Sequence, residues 1–123
     1  MSIAALELRA QRANTLAFIR ADSLSVVLER SARTSDGAGG TITGTPAPLP
    51  AQTMRLIPLR DVGSVQRTTA DGQDVEPTYA LLGVYSADME RWDTFTIDGK
   101  TYEVVFVNQS RQYETKGEVF YRG

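Results

Sequence analysis

The chain has 123 residues, 41% of them hydrophobic and 23% charged, with a formal net charge of −2 at pH 7. That length suits one domain with a modest core, and the composition is that of a folded chain rather than a disordered one. Cysteine and histidine are both absent, which removes disulfides, thiol nucleophiles, thiolate or imidazole metal sites and any Ser-His-Asp triad.

No run approaches the roughly 20 apolar residues of a membrane span. Glu7, Arg9 and Arg12 interrupt the apolar N-terminus, so neither a signal peptide nor an anchor is expected there. Residues 1–60 hold seven arginines against four acids, and residues 61–123 six bases against eleven acids. The asymmetry fits either scatter over a solvated surface or a dipolar protomer whose basic end meets an acidic neighbour. No basic cluster is dense enough for a dedicated nucleic-acid binder.

Residues 2–20 predict a helix, opened by Ser2 and rich in helix formers. Ile3, Leu6, Ala10, Ala13 and Ala17, with Leu16 and Ile19 beside them, form an apolar stripe expected to pack on the sheet or on a neighbouring subunit. Leu24 to Arg30 predict a first strand. Residues 31–51 form a Gly/Thr/Ser/Pro arm, with turn formers at Asp36-Gly37 and Gly39-Gly40 and an extended stretch at Pro46, Pro48 and Pro50. A loop of that length in a compact domain is expected to carry function. A second strand at 52–59 precedes a polar loop at 60–76 that turns at Asp71-Gly72. Residues 78–85, apolar on both faces, predict a central strand. Ser86 to Arg91 predict one capped helical turn.

Asp98-Gly99 is a two-residue type I′ signal, because both turn residues need positive φ. Ile97 then faces Lys100, Thr96 faces Thr101, Phe95 faces Tyr102 and Trp92 faces Val105. One face carries Phe95, Ile97, Tyr102, Val104 and Phe106 as core, and the other carries Thr94, Thr96, Thr101 and Glu103 as a wet surface. Trp92 and Val105 are expected either under a loop or at a subunit contact. A last strand runs through Tyr113–Thr115 and Glu118–Arg122, bulged at Gly117. The expected architecture is mainly β: a small closed barrel of about six strands with an N-terminal helix and two long loops, a sandwich being the alternative.

The chemistry of a catalyst is thin. Asp88, Asp93 and Asp98 do not alternate as a calcium loop requires, no glycine run has phosphate-cradling spacing, and Glu103, Glu114 and Glu118 would repel phosphate from the nearby aromatics. No catalytic residue, cofactor or metal is expected.

The order of elements, and above all the block Trp92-Asp93-Thr94-Phe95-Thr96-Ile97-Asp98-Gly99-Lys100-Thr101-Tyr102-Glu103-Val104, resembles the head-closure proteins of tailed bacteriophages. These are head-to-tail connector "stoppers", and the likeness is strongest to the short versions from phages of actinobacteria. The resemblance covers nearly the whole chain. It implies a virion protein at the head-tail junction, assembled in the host cytoplasm as a homo-oligomeric ring, six-fold favoured. Such a ring lies between a portal-side adaptor and a tail terminator or tail tube protein. Packaged DNA passes through its lumen without sequence-specific binding, and no membrane is involved.

The gating or clasping role then falls to loops 31–51 and 60–76, with Asp36, Gly37, Gly39, Gly40, Thr41, Ile42, Asp71 and Gly72 as candidates. Trp92, Val105, Arg9 and Arg12 are candidate subunit contacts. The rival expectations are a tail terminator or another neck ring protein, a small monomeric ligand-binding barrel using Trp92, and a small hydrolase using Asp88 and Asp93.

Overall fold

The computed structural model describes residues 3–35, 37–59 and 66–123. Helix α1 spans Ile3–Ala21. The Asp22 N–H reaches back to the Ile19 carbonyl at 3.3 Å as the chain leaves it, and Arg20 in the last turn complements the negative end of the helix dipole. The packed face is not the alanine stripe. Thr15 and Ile19 are buried and Leu8, Arg12 and Leu16 half-buried, while Leu6, Ala10, Ala13 and Ala17 are exposed. With about 3.6 residues per turn the two sets fall on opposite sides of the helix. Size decides between them: burying a leucine or isoleucine gains roughly 1.5–3 kcal/mol, a single CH₂ about 0.8 kcal/mol.

Twelve short strands follow: β1 Leu24–Val26, β2 Glu29–Arg30, β3 Arg33–Ser35, β4 Thr41–Thr43, β5 Ala47–Pro48, β6 Gln52–Pro58, β7 Arg67–Thr68, β8 Asp74–Val75, β9 Tyr79–Val84, β10 Thr94–Ile97, β11 Lys100–Asn108 and β12 Glu114–Tyr121. Eight of them make one sheet in the order β1-β6-β9-β12-β11-β10-β2-β5, and β3-β4 and β7-β8 are separate two-stranded hairpins. The expected first strand is therefore two strands. Val27-Leu28 carries the chain from β1 at one edge of the sheet to β2 near the other, and Leu28 is fully buried on the way. β9 is central, as its unbroken apolar run predicts, with β6 and β12 on its flanks.

The sheet is a curled half-barrel rather than the closed barrel expected. Among the described residues β1 pairs only with β6, and β5 only with β2. The β5 edge holds Pro46, Pro48 and Pro50, and proline has no N–H to offer a further strand. Val26, Leu28, Met54, Leu81, Phe95, Tyr102, Val104 and Val119 fill the concave side together with Met89. Helix α1 lies against β6 and β9 on the other side.

The hairpin β10-β11 turns at Asp98 (φ 51°) and Gly99 (φ 77°) in the expected register, Ile97 to Lys100 through Thr94 to Glu103. Beyond it the expectation fails twice. Trp92 and Asp93 together oppose Val104, since the Trp92 N–H donates to the Val104 carbonyl at 2.5 Å and the Val104 N–H to the Asp93 carbonyl at 2.8 Å. The β11-β12 register also slips between Val104 and Phe106, so the bulge lies in β11 and not at Gly117. A one-residue slip exchanges faces. Val107, not Phe106, packs on the core, and Phe106 lies beneath the Arg67 guanidinium at 3.8 Å. Residues 86–91 form no helical turn; after an Ala87 to Val84 turn bond the segment runs as irregular chain.

Gly83 is tightly enclosed, because a Cβ there would stand 2.7 Å from the Ala87 Cβ. We expect Gly83→Ala to lower stability by about 1–3 kcal/mol, read as a lower urea midpoint; an unchanged midpoint would show that the Ala87 loop yields freely. Tyr102 is buried and stacked 5.1 Å from Phe95. Burial, then the neighbouring Tyr79 hydroxyl, raises its phenol above the ordinary value of 10.0. The unfolded chain therefore loses this proton first, so stability is flat below about pH 10 and falls above it. Spectrophotometric titration should find one tyrosine ionising at a higher pH in the folded chain than in the unfolded one.

Candidate functional site

The described parts of both long loops meet at Trp92. From the first, the Arg33 guanidinium stacks over the indole at 4.1 Å. From the second, the Thr68 carbonyl accepts the indole N–H at 3.0 Å, and Arg91 adds a further stacked guanidinium at 4.7 Å. Trp92 itself has φ 76°, a backbone region that bulky side chains occupy only when their surroundings hold them there. Around it opens a cleft of about 760 Å³. The charged side chains lining it balance: Glu29, Glu90, Asp93 and Glu103 stand against Arg30, Arg33, Arg91 and Arg122.

Two carboxylates of this cleft are buried, each held by an arginine. Asp93, 1% exposed, receives Arg30 through Nε at 2.9 Å and Nη2 at 2.8 Å, and accepts the Glu90 N–H. Arg30 also reaches Asp88 at 2.9 Å and Glu90 at 3.2 Å. Its hydrogen bonds to Asp93 foremost raise its affinity for its proton, against the opposing effect of burial. Glu103, 0% exposed, receives Arg122 Nη1 at 2.5 Å and the Ala70 N–H at 2.9 Å. Arg122 bridges on to Asp71 at 3.0 Å, and its proton too is held more tightly, first through Asp71. The face expected to be wet at Glu103 is thus covered by the β7-β8 hairpin, which Arg67 further ties to Glu118 at 2.9 Å.

The sequence-predicted residues separate into distinct places. Asp36 lies outside the described residues. Gly37 and Gly39, both at positive φ and exposed, form the tip between β3 and β4 with Gly40, where a Cβ at Gly37 or Gly39 would meet nothing. Thr41 and Ile42 belong to β4, paired with Ser35 and Thr34. Asp71 and Gly72 form the β7-β8 turn, with Gly72 at φ 84°. Trp92 is half-buried and Val105 fully buried within the chain. Arg9 is exposed. Arg12 faces its own fold, donating to the Gln112 carbonyl at 3.0 Å and stacking on Tyr85 at 3.7 Å.

The arm 31–51 is not the extended strap its prolines suggest. It makes the β3-β4 hairpin and then returns Ala47–Pro48 to pair with β2. The Arg30–Asp93 and Arg122–Glu103 pairs were not legible in the sequence, since their members lie far apart in the chain. The one available signal was that Glu103 falls mid-strand on the longest hairpin.

Chemically this is an anchoring centre. Asp88 and Asp93, the acids of the hydrolase expectation, both hold Arg30. Among the described residues no three Asp or Glu side chains gather as a metal site, and no helix is long and apolar enough to cross a membrane. We expect Asp93→Ala to cost about 3 kcal/mol, because it leaves Arg30 short of its buried partner. Chemical denaturation would measure this, and a loss under about 0.5 kcal/mol, the range of surface substitutions, would mean that Asp88 and Glu90 suffice. The chain matches no protein-family model, and no curated protein matches it at a significant level.

Proposed function

We propose that this chain is a structural protein of the phage neck, a head-closure stopper. Its protomers form a ring, six-fold favoured, between the portal-side adaptor and the tail, closing the DNA channel and docking the tail terminator or tube. The reading rests on the resemblance of the residue 92–104 block to that family. The observation that carries it is the β3-β4 hairpin: an exposed, glycine-tipped hairpin whose base stacks on Trp92 through Arg33. A gate needs an exposed tip on a fixed root.

The matched charges of the cleft also suit a channel protein, because a lumen that must release DNA should not hold its phosphates tightly. A mainly β half-barrel with exposed Leu6, Phe18, Val27, Tyr85 and Tyr121 offers apolar surface to neighbours on several sides. A monomeric ligand-binding barrel has less support, as Arg33 and Arg91 already stack on the indole that would receive the ligand.

Immunogold labelling of purified virions tests the location: label anywhere but the head-tail junction would overturn the reading. Replacing residues 36–40 with a two-residue Asn-Gly turn should leave the circular dichroism spectrum and melting temperature unchanged. Heads assembled with that variant should lose DNA or fail to join tails, and a normal yield of infectious particles would remove the hairpin from the gate.

A further inference from the structure

Trp92 is the chain's single tryptophan, and both hairpins act on its indole. The β3-β4 hairpin brings the Arg33 guanidinium to 4.1 Å, and the β7-β8 hairpin the Thr68 carbonyl to 3.0 Å. The Arg91 guanidinium at 4.7 Å belongs to the adjacent residue, so it ties the indole to neither hairpin. The bond from the Trp92 N–H to the Val104 carbonyl fixes the backbone to β11 and likewise reaches neither.

Against these contacts stands the φ of 76°. Such a backbone at a bulky residue costs as much as one exposed guanidinium stack or one indole hydrogen bond contributes, or more. Two ties hold the indole in place, and one alone leaves the strain less than fully opposed. We propose that Trp92 is a latch coupling the two hairpins: loosening either one frees the indole and thereby loosens the other. A partner's contact on the β7-β8 turn is then felt at the root of the glycine-tipped hairpin, and the reverse holds by linkage. This coupling goes beyond the neck reading and needs no ring, so it can fail while the virion location stands.

Native-state hydrogen exchange of the full chain, followed residue by residue by NMR, tests this. The Thr69 N–H, bonded to the Gln73 carbonyl at 2.8 Å, reports on the β7-β8 hairpin. The Gly44 N–H, bonded to the Ala32 carbonyl at 2.7 Å, reports on the root of the other. Arg33→Ala, an exposed substitution on β3, should speed exchange at Thr69 by about three- to tenfold. Arg67→Ala, which releases the β7-β8 hairpin from Glu118, should speed exchange at Gly44 by a similar factor. In a Trp92→Phe background a ring remains to stack but no N–H reaches Thr68, and both cross-effects should vanish. Arg111→Ala, which breaks the separate pair with Glu114, should leave both amides unchanged.

Unchanged exchange at Thr69 in Arg33→Ala, or cross-effects that persist undiminished in Trp92→Phe, would overturn the proposal. The Thr69 readout decides even where Arg67→Ala disturbs the fold. Equal acceleration throughout the sheet, the β9 amides included, would also overturn it, by making the effect a loss of global stability.

Discussion

Removing a carboxylate from water costs several kcal/mol unless its charge is met where it lies, and in the Trp92 cleft this fold does it at Asp93 and at Glu103. The β10-β11 ladder brings the two together, because Thr94 pairs with Glu103 and Asp93 bonds Val104. Each then dictates what must come to it. Asp93 draws Arg30 and with it β2, so the chain crosses the open side of the sheet at Val27-Leu28. Glu103 draws Arg122 from the end of β12 and the Ala70 N–H from the β7-β8 turn. Buried ion pairs are weak sources of stability, but removing one member strands the other. Their effect here is to fix where the loops attach.

That fixation turns two long polar segments into anchored hairpins. Trp92 sits between them, accepting an unfavourable φ so that its indole faces Arg33 on one side of the cleft and Thr68 on the other. Backbone strain at a tryptophan persists only where surrounding contacts outweigh it. The root of the glycine-tipped hairpin is therefore among the most constrained parts of the molecule, while a Cβ added at Gly37 or Gly39 in its exposed tip would meet nothing within 4 Å.

What the sequence disclosed was whatever short-range chemistry decides. Asp98-Gly99 needs positive φ, and only one register follows from it; the apolar run at 79–84 can only be central. What stayed hidden depended on distant partners. The helix period was visible, but not which side of it would pack, since that rests on Leu8, Leu16 and Ile19 outweighing four small or exposed residues. The bulge at Val105 comes from how β11 meets β12, so Phe106 was assigned to the wrong face. Asp88, suited to a cap, serves Arg30 instead. Pro46, Pro48 and Pro50 suggested an extended arm, whereas their backbone carries Ala47–Pro48 back to β2 and then refuses a further strand.

That refusal shapes how such a protomer meets others. A half-barrel that stays open exposes two strand edges, the usual template for uncontrolled pairing. Here one edge is three residues long and the other is blocked by proline, so strand exchange between copies is disfavoured at both. In the proposed ring, contacts between copies would instead be made by side-chain surfaces, which can be matched to one partner and not to its rivals. The orientation of α1 decides one such surface. By turning Leu8, Leu16 and Ile19 inward the helix leaves its alanine face outward, with Leu6 and Phe18 exposed. The surface that α1 turns outward thus follows from the same size difference that decided which side of the helix would be buried.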